Sequence, residues 1–198
     1  MNKVTVIGAG AWGTTLAQVL SDAGNQVLLW ARNHEVVSEL NKYKTNKNYL
    51  SGIQLPDNIQ ATSDIAAALA FSDIYVLAIP TQQLRQMLKD WQPYLNQNAT
   101  VVSTLKGIEL TTDLRVSEVI SQVWGDVNFA LITGPNLADE LALRQLAAAV
   151  VASPKLEIAK RVKSIFTTSY YRIYTSTDVM GCELAGAIKS VEIGRAHV

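Results

Sequence analysis

The 198-residue chain is 48% hydrophobic and 17% charged, a balance that calls for a packed core and excludes a largely disordered chain. Its 17 basic residues offset 17 acidic ones, so nothing in the charge marks nucleic acid or a membrane surface as an obligatory partner. No stretch approaches the ~18 apolar residues of a membrane span, and strand-like sequence begins at once, with no room for a secretory leader, so a cytoplasmic location is expected.

The first predicted strand, Lys3-Val4-Thr5-Val6-Ile7-Gly8, runs into Gly8-Ala9-Gly10-Ala11-Trp12-Gly13 and then into a helix over about 11–23, with Leu16, Val19 and Leu20 on one face. Glycines at this spacing are weak evidence alone. A strand directly before and a helix directly after give them a mechanism. Gly8 permits a tight turn, Gly10 permits close approach of a pyrophosphate, and Gly13 permits the helix to pack against the strand. The unpaired N–H groups of the first helical turn, at the positive end of the helix dipole, then hold the anion. Gly24-Asn25 stops the helix, and strand 2, Gln26-Val27-Leu28-Leu29-Trp30, completes a βαβ unit of the length a dinucleotide half-site needs.

Strand 2 ends in Trp30-Ala31-Arg32-Asn33-His34. A site preferring NAD carries an acidic residue here to bind the ribose 2′-hydroxyl. This chain has Arg32, which suits a 2′-phosphate or stacks on adenine. NADP(H) is therefore the expected preference, with NAD(H) possible. A helix over about 34–42 leads into a polar segment whose Lys42, Lys44 and Lys47 read as a solvated face, then into an ordered loop from Tyr49 to Pro56. A short strand at 59–61 precedes an Ala-rich helix capped by Ser63 or Asp64 and running through Ala70.

Strand 4, residues 73–79, is apolar enough for the centre of a parallel sheet. Its Ala78-Ile79-Pro80-Thr81 corner lies at a carboxyl end, where open α/β sheets bind ligands, and a helix follows to about Asp90. Strand 5, residues 100–103, leads to Thr104-Leu105-Lys106-Gly107-Ile108. Lys106 is thus a candidate to hold an anionic substrate group or polarise a carbonyl. A helix over 113–123, a strand over 128–132 and a helix over 137–143 follow, with Thr133-Gly134-Pro135-Asn136 at the strand's carboxyl edge. Then come a strand at 147–152, a helix at 155–166 and a strand near 170–174. The stretch from Thr177 to Lys189 is helical in period, and its Gly181, Ala185 and Gly186 allow close approach of a helix or ligand. Cys182 is alone, which excludes an intramolecular disulfide, and reads as a small packing residue. His34 and His197 have no second ligand at metal spacing, so no metal site is expected.

These pieces in this order resemble bacterial NAD(P)-dependent sn-glycerol-3-phosphate dehydrogenase, over the chain to about Val191. The matching residues are Gly8 to Thr14, Leu29-Trp30-Ala31-Arg32, Tyr49-Leu50-Ser51-Gly52 with Leu55-Pro56, Ala78-Ile79-Pro80, Lys106-Gly107-Ile108, Gly134 to Glu140, and Asp178 to Lys189. The resemblance implies an α/β, Rossmann-type, doubly wound and mostly parallel sheet over residues 1–178, followed from 179 by the first helix of an all-α domain. It implies interconversion of dihydroxyacetone phosphate and sn-glycerol 3-phosphate for phospholipid synthesis, and a possible homodimer at full length. Gly8, Gly10, Gly13, Ala11, Trp12, Arg32, Asn33, Tyr49 and Ala138 then serve the cofactor, and Lys106 both cofactor and substrate. Ala11 stands where serine is common, leaving a backbone contact only. Gly134 and Asn136 meet the substrate, Asn136 replacing a frequent serine. Lys189 matches the family's proton donor and acceptor, which protonates the alkoxide left by hydride delivery.

The family's later substrate contacts, an Asp and a Ser-Arg-Asn group, have no counterpart. The segment from about residue 192 reads as a truncation or foreign end, so His197 carries no catalytic expectation. The chain is expected to bind cofactor with little or no turnover. Two alternatives share parts of the pattern. A dehydrogenase of 3-hydroxy acids or of ketopantoate has the same first half and a helical lysine, without the Tyr49 and Asn136 neighbourhoods. A non-catalytic dinucleotide-sensing module needs neither Lys106 nor Lys189.

Overall fold

A computed structural model describes residues 1–195. Eight strands form one sheet: β1 (Lys3–Ile7), β2 (Gln26–Trp30), β3 (Ile59–Thr62), β4 (Ile74–Leu77), β5 (Thr100–Ser103), β6 (Asn128–Thr133), β7 (Ala147–Ala152) and β8 (Tyr171–Ser176). Their spatial order is β3-β2-β1-β4-β5-β6-β7-β8. All neighbouring pairs are parallel except β6 with β7. The order reverses at β1 and β4, the switch point beside which such sheets open a crevice at their carboxyl edge. The expected doubly wound, mostly parallel architecture is the one observed.

The helices are α1 (Ala11–Asp22), α2 (His34–Tyr43), α3 (Ile65–Phe71), α4 (Leu84–Trp91), α5 (Val116–Trp124), α6 (Ala138–Ala142), α7 (Leu156–Phe166) and α8 (Val179–Arg195). Central strands are apolar on both sides because helices cover both faces. Val4, Val6, Val27, Leu29, Ile74 and Val76 pack with α1 and α7 residues such as Leu16, Leu20, Val162 and Phe166. Their alternate neighbours Ile7, Leu28, Tyr75, Leu77 and Val101 pack with Leu69, Leu84, Leu88 and Val119 from α3, α4 and α5. The side-chain period of two along each strand divides one apolar run between two cores.

Several boundaries differ from the periodicity for local reasons. β4 stops at Leu77 rather than 79; the Ala78 amide still donates to the Ile7 carbonyl at 2.8 Å, but Pro80 has no N–H to continue a ladder. The helix expected from about 80 begins as a 3₁₀ turn, Thr81–Gln83, before α4. α5 begins at Val116 rather than 113, because residues 109–113 close a turn through the Asp113 amide and Glu109 carbonyl, 2.8 Å apart. Of the two cap candidates before α3, Asp64 serves: its carboxylate accepts from the Ala66 and Ala67 amides. Cys182 is partly exposed rather than sealed in a core. α8 continues through Arg195, past the end expected from the sequence, and His197 lies outside the described residues.

α8 starts beyond β8, near Asn128 and Phe129 at the amino end of β6, and runs alongside β6 toward its carboxyl end. Glu183, Gly186 and Lys189, three residues apart, form a stripe turned to the sheet and α5. Met180, Leu184 and Ile188, four apart, form the opposite, exposed stripe.

Candidate dinucleotide and substrate site

The glycine turn divides its three positions by cause. Gly8 has φ +115°, and a Cβ there would lie 2.3 Å from the Ala78 carbonyl oxygen, so both conformation and the neighbouring strand demand glycine. A Cβ on Gly13 would lie 1.8 Å from the Gly8 oxygen, which is the close helix–strand approach expected of it. Gly10 differs. A Cβ there meets nothing within 4 Å, so no protein atom requires glycine, and the space in front of it is where an anion can reach the backbone. Gly10 is also the N-cap of α1, with no side-chain cap and no acidic residue in the first turn. The first-turn amides therefore face open space at the helix's positive end.

That space is a cleft of about 430 Å³ lined by Gly8 through Gly13, Trp30 to Asn33, Val36, Tyr49, Ala78 to Pro80, Gln83 and Met87. Its volume lies within the ~300–1,000 Å³ of ligand sites. Arg32 is exposed at its rim and has no hydrogen bond or ion pair among the described residues, leaving its guanidinium available to a ligand. Asn33 is already occupied in part: its side-chain oxygen accepts from the Glu35 amide at 2.7 Å, capping α2. Gln83 and Met87 escaped the sequence reading, although their place directly after the Pro80 corner is a usable signal.

Asn46 was also missed. It reads as one polar residue among lysines, yet it is 1% exposed. Its amide nitrogen donates to the Ala9 carbonyl at 2.9 Å and to the Thr14 hydroxyl at 2.8 Å, strapping the Tyr49 loop to the glycine turn. Of the three lysines nearby, Lys42 and Lys47 are exposed as expected, whereas Lys44 is half-buried because its Nζ turns inward to donate to the Ile59 carbonyl at 2.7 Å.

A second crevice of about 440 Å³ adjoins the first and shares Ala11, Trp12, Ala78, Ile79 and Pro80 with it. Its far side is Thr81, Thr104, Lys106, Asn136, Leu137 and Ala138. The Lys106 loop is clamped to the corner after β4: Thr81 Oγ1 donates to the Lys106 carbonyl at 2.9 Å, and the Gln82 amide donates to the Ile108 carbonyl at 2.9 Å. Lys106 Nζ lies 3.4 Å from the Gly134 carbonyl and 6.0 Å from the centre of the Trp12 ring. Lys189 Nζ donates to the Asn136 carbonyl at 3.3 Å. Burial first, and the Lys189 ammonium second, pull the Lys106 pKa down to about 8. Two amines thus meet at one end of the crevice beside backbone carbonyls, an arrangement suited to an anionic or developing negative charge.

Gly134 and Asn136 are placed by packing. A Cβ on Gly134 would come within 2.8 Å of the Asn136 amide nitrogen and 2.9 Å of the Ala148 carbonyl oxygen. The Asn136 amide donates to the Tyr171 hydroxyl at 3.4 Å; burial pushes that phenol's pKa well up, so it stays neutral. Ala138 is drawn to α1, its carbonyl accepting from Thr15 Oγ1 at 3.2 Å. Every residue singled out for cofactor or substrate therefore lies on, or directly behind, this pair of joined crevices. Among the described residues no cluster of three or more metal-ligating side chains exists, and no helix is long and apolar enough to cross a membrane.

The switch-point crevice, the glycine cradle and the anion-ready helix end together define a dinucleotide-binding α/β domain. Residues 3–159 match the family model described as NAD-dependent glycerol-3-phosphate dehydrogenase N-terminus, and the chain belongs to that family. Glycerol-3-phosphate dehydrogenase [NAD(P)+] of Streptomyces coelicolor is 48% identical over 191 residues, covering 96% of this chain and 57% of that protein. The chain thus spans about 57% of the length of this relative. The crystal structure of glycerol-3-phosphate dehydrogenase from Coxiella burnetii superposes with a TM-score of 0.90 at 27% identity, over 96% of this chain and 58% of that one. A ketopantoate reductase from Ralstonia eutropha shares only the fold, with a TM-score of 0.67 at 18% identity over 92% of this chain and 59% of its own.

Proposed function

We propose that this chain is the cofactor-binding and lysine-bearing part of an NAD(P)-dependent glycerol-3-phosphate dehydrogenase, which interconverts dihydroxyacetone phosphate and sn-glycerol 3-phosphate for phospholipid synthesis. The observation that carries the reading is the convergence of Lys106 and Lys189 at the end of the cofactor crevice, beside the Gly134 and Asn136 carbonyls. A dinucleotide-sensing module has no use for that pair. The relatives' activity supports the substrate, and family membership supports the cofactor class. Arg32 in place of an acid supports preference for NADP(H) with NAD(H) accepted. The helix beginning at Val179 opens a second domain, and the full-length protein acts in the cytoplasm, with a homodimer as its expected assembly.

The residues present fit the cofactor, because the Gly10 cradle is open and the first-turn amides face it. Gly8 to Gly13 hold the pyrophosphate, Arg32 and Asn33 the adenosine end, Tyr49 and Trp12 flank the cleft, and Ala11 and Ala138 contribute backbone. When bound, the reduced nicotinamide supplies two electrons and a hydrogen to the ketone carbon. Lys106 holds the substrate phosphate or carbonyl in line, with Gly134 and Asn136 fixing the opposite side. Lys189 Nζ gives its proton to the oxygen that becomes the alcohol, and takes it back in the reverse direction.

Two measurements test this. In a form extended over the length of its relatives, Lys189→Met should lower kcat about 10²–10⁴-fold while NADPH affinity is kept; retained turnover would sink the reading. The 198-residue chain itself binds NADPH and turns over little, since it spans only part of its relatives. Near-normal reduction of dihydroxyacetone phosphate by the purified chain would contradict that second point.

A further inference from the structure

The stripe of α8 that faces the sheet contains little to key its position by packing. Gly186 lets the helix approach β6, since a Cβ there would sit 3.0 Å from Thr133 Oγ1, but a glycine permits contact without fixing register. The large apolar residues Met180, Leu184 and Ile188 are on the other side, 55%, 39% and 58% exposed. Asp178 accepts from the Gly181 amide at 2.8 Å, a cap within the helix's own first turn that ties it to nothing else.

What ties α8 to the body of the protein is Glu183, whose side chain is only 10% exposed. Its Oε1 accepts from the Ser117 amide at 2.8 Å. Its Oε2 accepts from Ser117 Oγ at 2.7 Å and from Arg115 Nη1 at 2.9 Å. Arg115 is held in turn by Glu118, 3.0 Å away. A carboxylate so placed answers both the free amide and the positive dipole end of α5. Because it is nearly buried, losing these partners would leave a costly unpaired charge, so its geometry is strongly enforced. Lys189 lies six residues on, about 9 Å along the helix axis at 1.5 Å per residue, and the hydrogen bond from its Nζ to the Asn136 carbonyl is long at 3.3 Å.

We propose that Glu183 is a positioning residue: by pinning α8 to the N-terminus of α5 it fixes where the Lys189 ammonium stands relative to Lys106. For its catalytic weight the inference rests on Lys189 being the proton donor. The pin itself is a separate matter, and the two are tested apart.

The probe is the titration of Lys106 in the 198-residue chain, followed by NMR of ¹³C-labelled lysine side chains and assigned with Lys106→Arg. Lys106 faces the Trp12 ring, the Gly134 carbonyl and the Lys189 ammonium, and no carboxylate bonds it among the described residues. Its midpoint therefore reports how closely α8 brings burial and a second positive charge. Glu183→Gln keeps the volume but has a single accepting oxygen, so it cannot serve the Ser117 amide together with Ser117 Oγ and Arg115. It should move the Lys106 midpoint upward by about 1, whereas Glu118→Gln, which also loosens Arg115 but lies on α5, should leave it in place. An unmoved midpoint in Glu183→Gln overturns the proposal. Equal movement in both variants overturns it too, because the effect would then be general loosening. Should Glu183→Gln fail to fold, Ser117→Ala, which removes one of the same hydrogen bonds from the α5 side, decides by the same criterion. The Lys189→Met measurement addresses the proton donor alone, so either idea can fail without the other.

Discussion

Lys106 carries the most consequential perturbation at the level of single residues. With burial and then the Lys189 charge drawing its pKa to about 8, it is largely charged at neutral pH and loses that charge over the next unit or two. Between about 8 and the ordinary lysine value of 10.5 the folded form is deprotonated while the unfolded form is not, so rising pH relieves a strain on folding rather than adding one. Anion binding runs the other way. NADPH affinity should fall as pH rises through about 8, and Lys106→Met should flatten that dependence; calorimetric titration between pH 6.5 and 9.5 checks it. Arg32 sets the second expectation. Its exposed guanidinium offers paired donors to a 2′-phosphate and much less to a 2′-hydroxyl. Arg32→Ala should weaken NADPH binding by about 1.5–3 kcal/mol and NADH binding far less. Equal losses would remove the argument for a phosphate partner. The places of Arg32 and Lys106 at the crevice were legible in the sequence because each lies within three residues of the carboxyl end of a strand, at the edge where the crevice opens. Asn46 was not legible. Its burial depends on a loop folding back onto the glycine turn, and nothing in a run of Asn and Lys announces that.

Among the elements, the strand–turn–helix at the amino end separates what folding needs from what binding needs. Gly8→Ala would force a Cβ against the Ala78 carbonyl at a positive φ, and Gly13→Ala would drive one into the Gly8 oxygen. Each should destabilise by several kcal/mol. Gly10→Ala has φ −72° and empty space before it. The reduced freedom of the unfolded chain, worth ~0.4–1 kcal/mol, opposes the poorer N-cap, so stability should hold within about 1 kcal/mol while NADPH affinity drops tenfold or more. Thermal denaturation and ligand titration of the three variants check this together. The same locality explains which elements were readable. β1, α1 and β2 are bounded by glycines and periodic apolar residues, and they occur where the pattern puts them. The start of α5 was misplaced because residues 109–113 form a turn held partly by long-range contacts. Arg85 from α4 grips Glu109 at 2.8 Å, a partner 24 positions away that periodicity does not reveal.

For the molecule as a whole, stability toward acid is expected to depend on carboxylates held below their ordinary pKa. The Arg85 hydrogen bond, followed by that of Thr112, lowers Glu109, and the Arg115 amide and guanidinium lower Glu118. A carboxylate lowered on folding contributes in full above about pH 4.5 and loses its contribution as pH falls below that value. Melting temperature should therefore fall steadily from pH 5 to 3, and Glu109→Gln should make the decline shallower; an unchanged slope would show that Glu109 does not contribute. The doubly wound plan was readable from the alternation of strand and helix. The position of the last helix was not, because it depends on one reversal in the sheet. β7 runs against β6 and β8 follows β7, so the chain leaves β8 at the edge opposite the crevice. α8 must then travel back along the length of β6 to deliver Lys189. The helix behaves as a ruler, counting residues from Glu183 to the lysine in steps of 1.5 Å and 100°. An insertion or deletion of one residue in that interval would swing the ammonium a quarter-turn or more off the crevice, though every side chain of the site were kept.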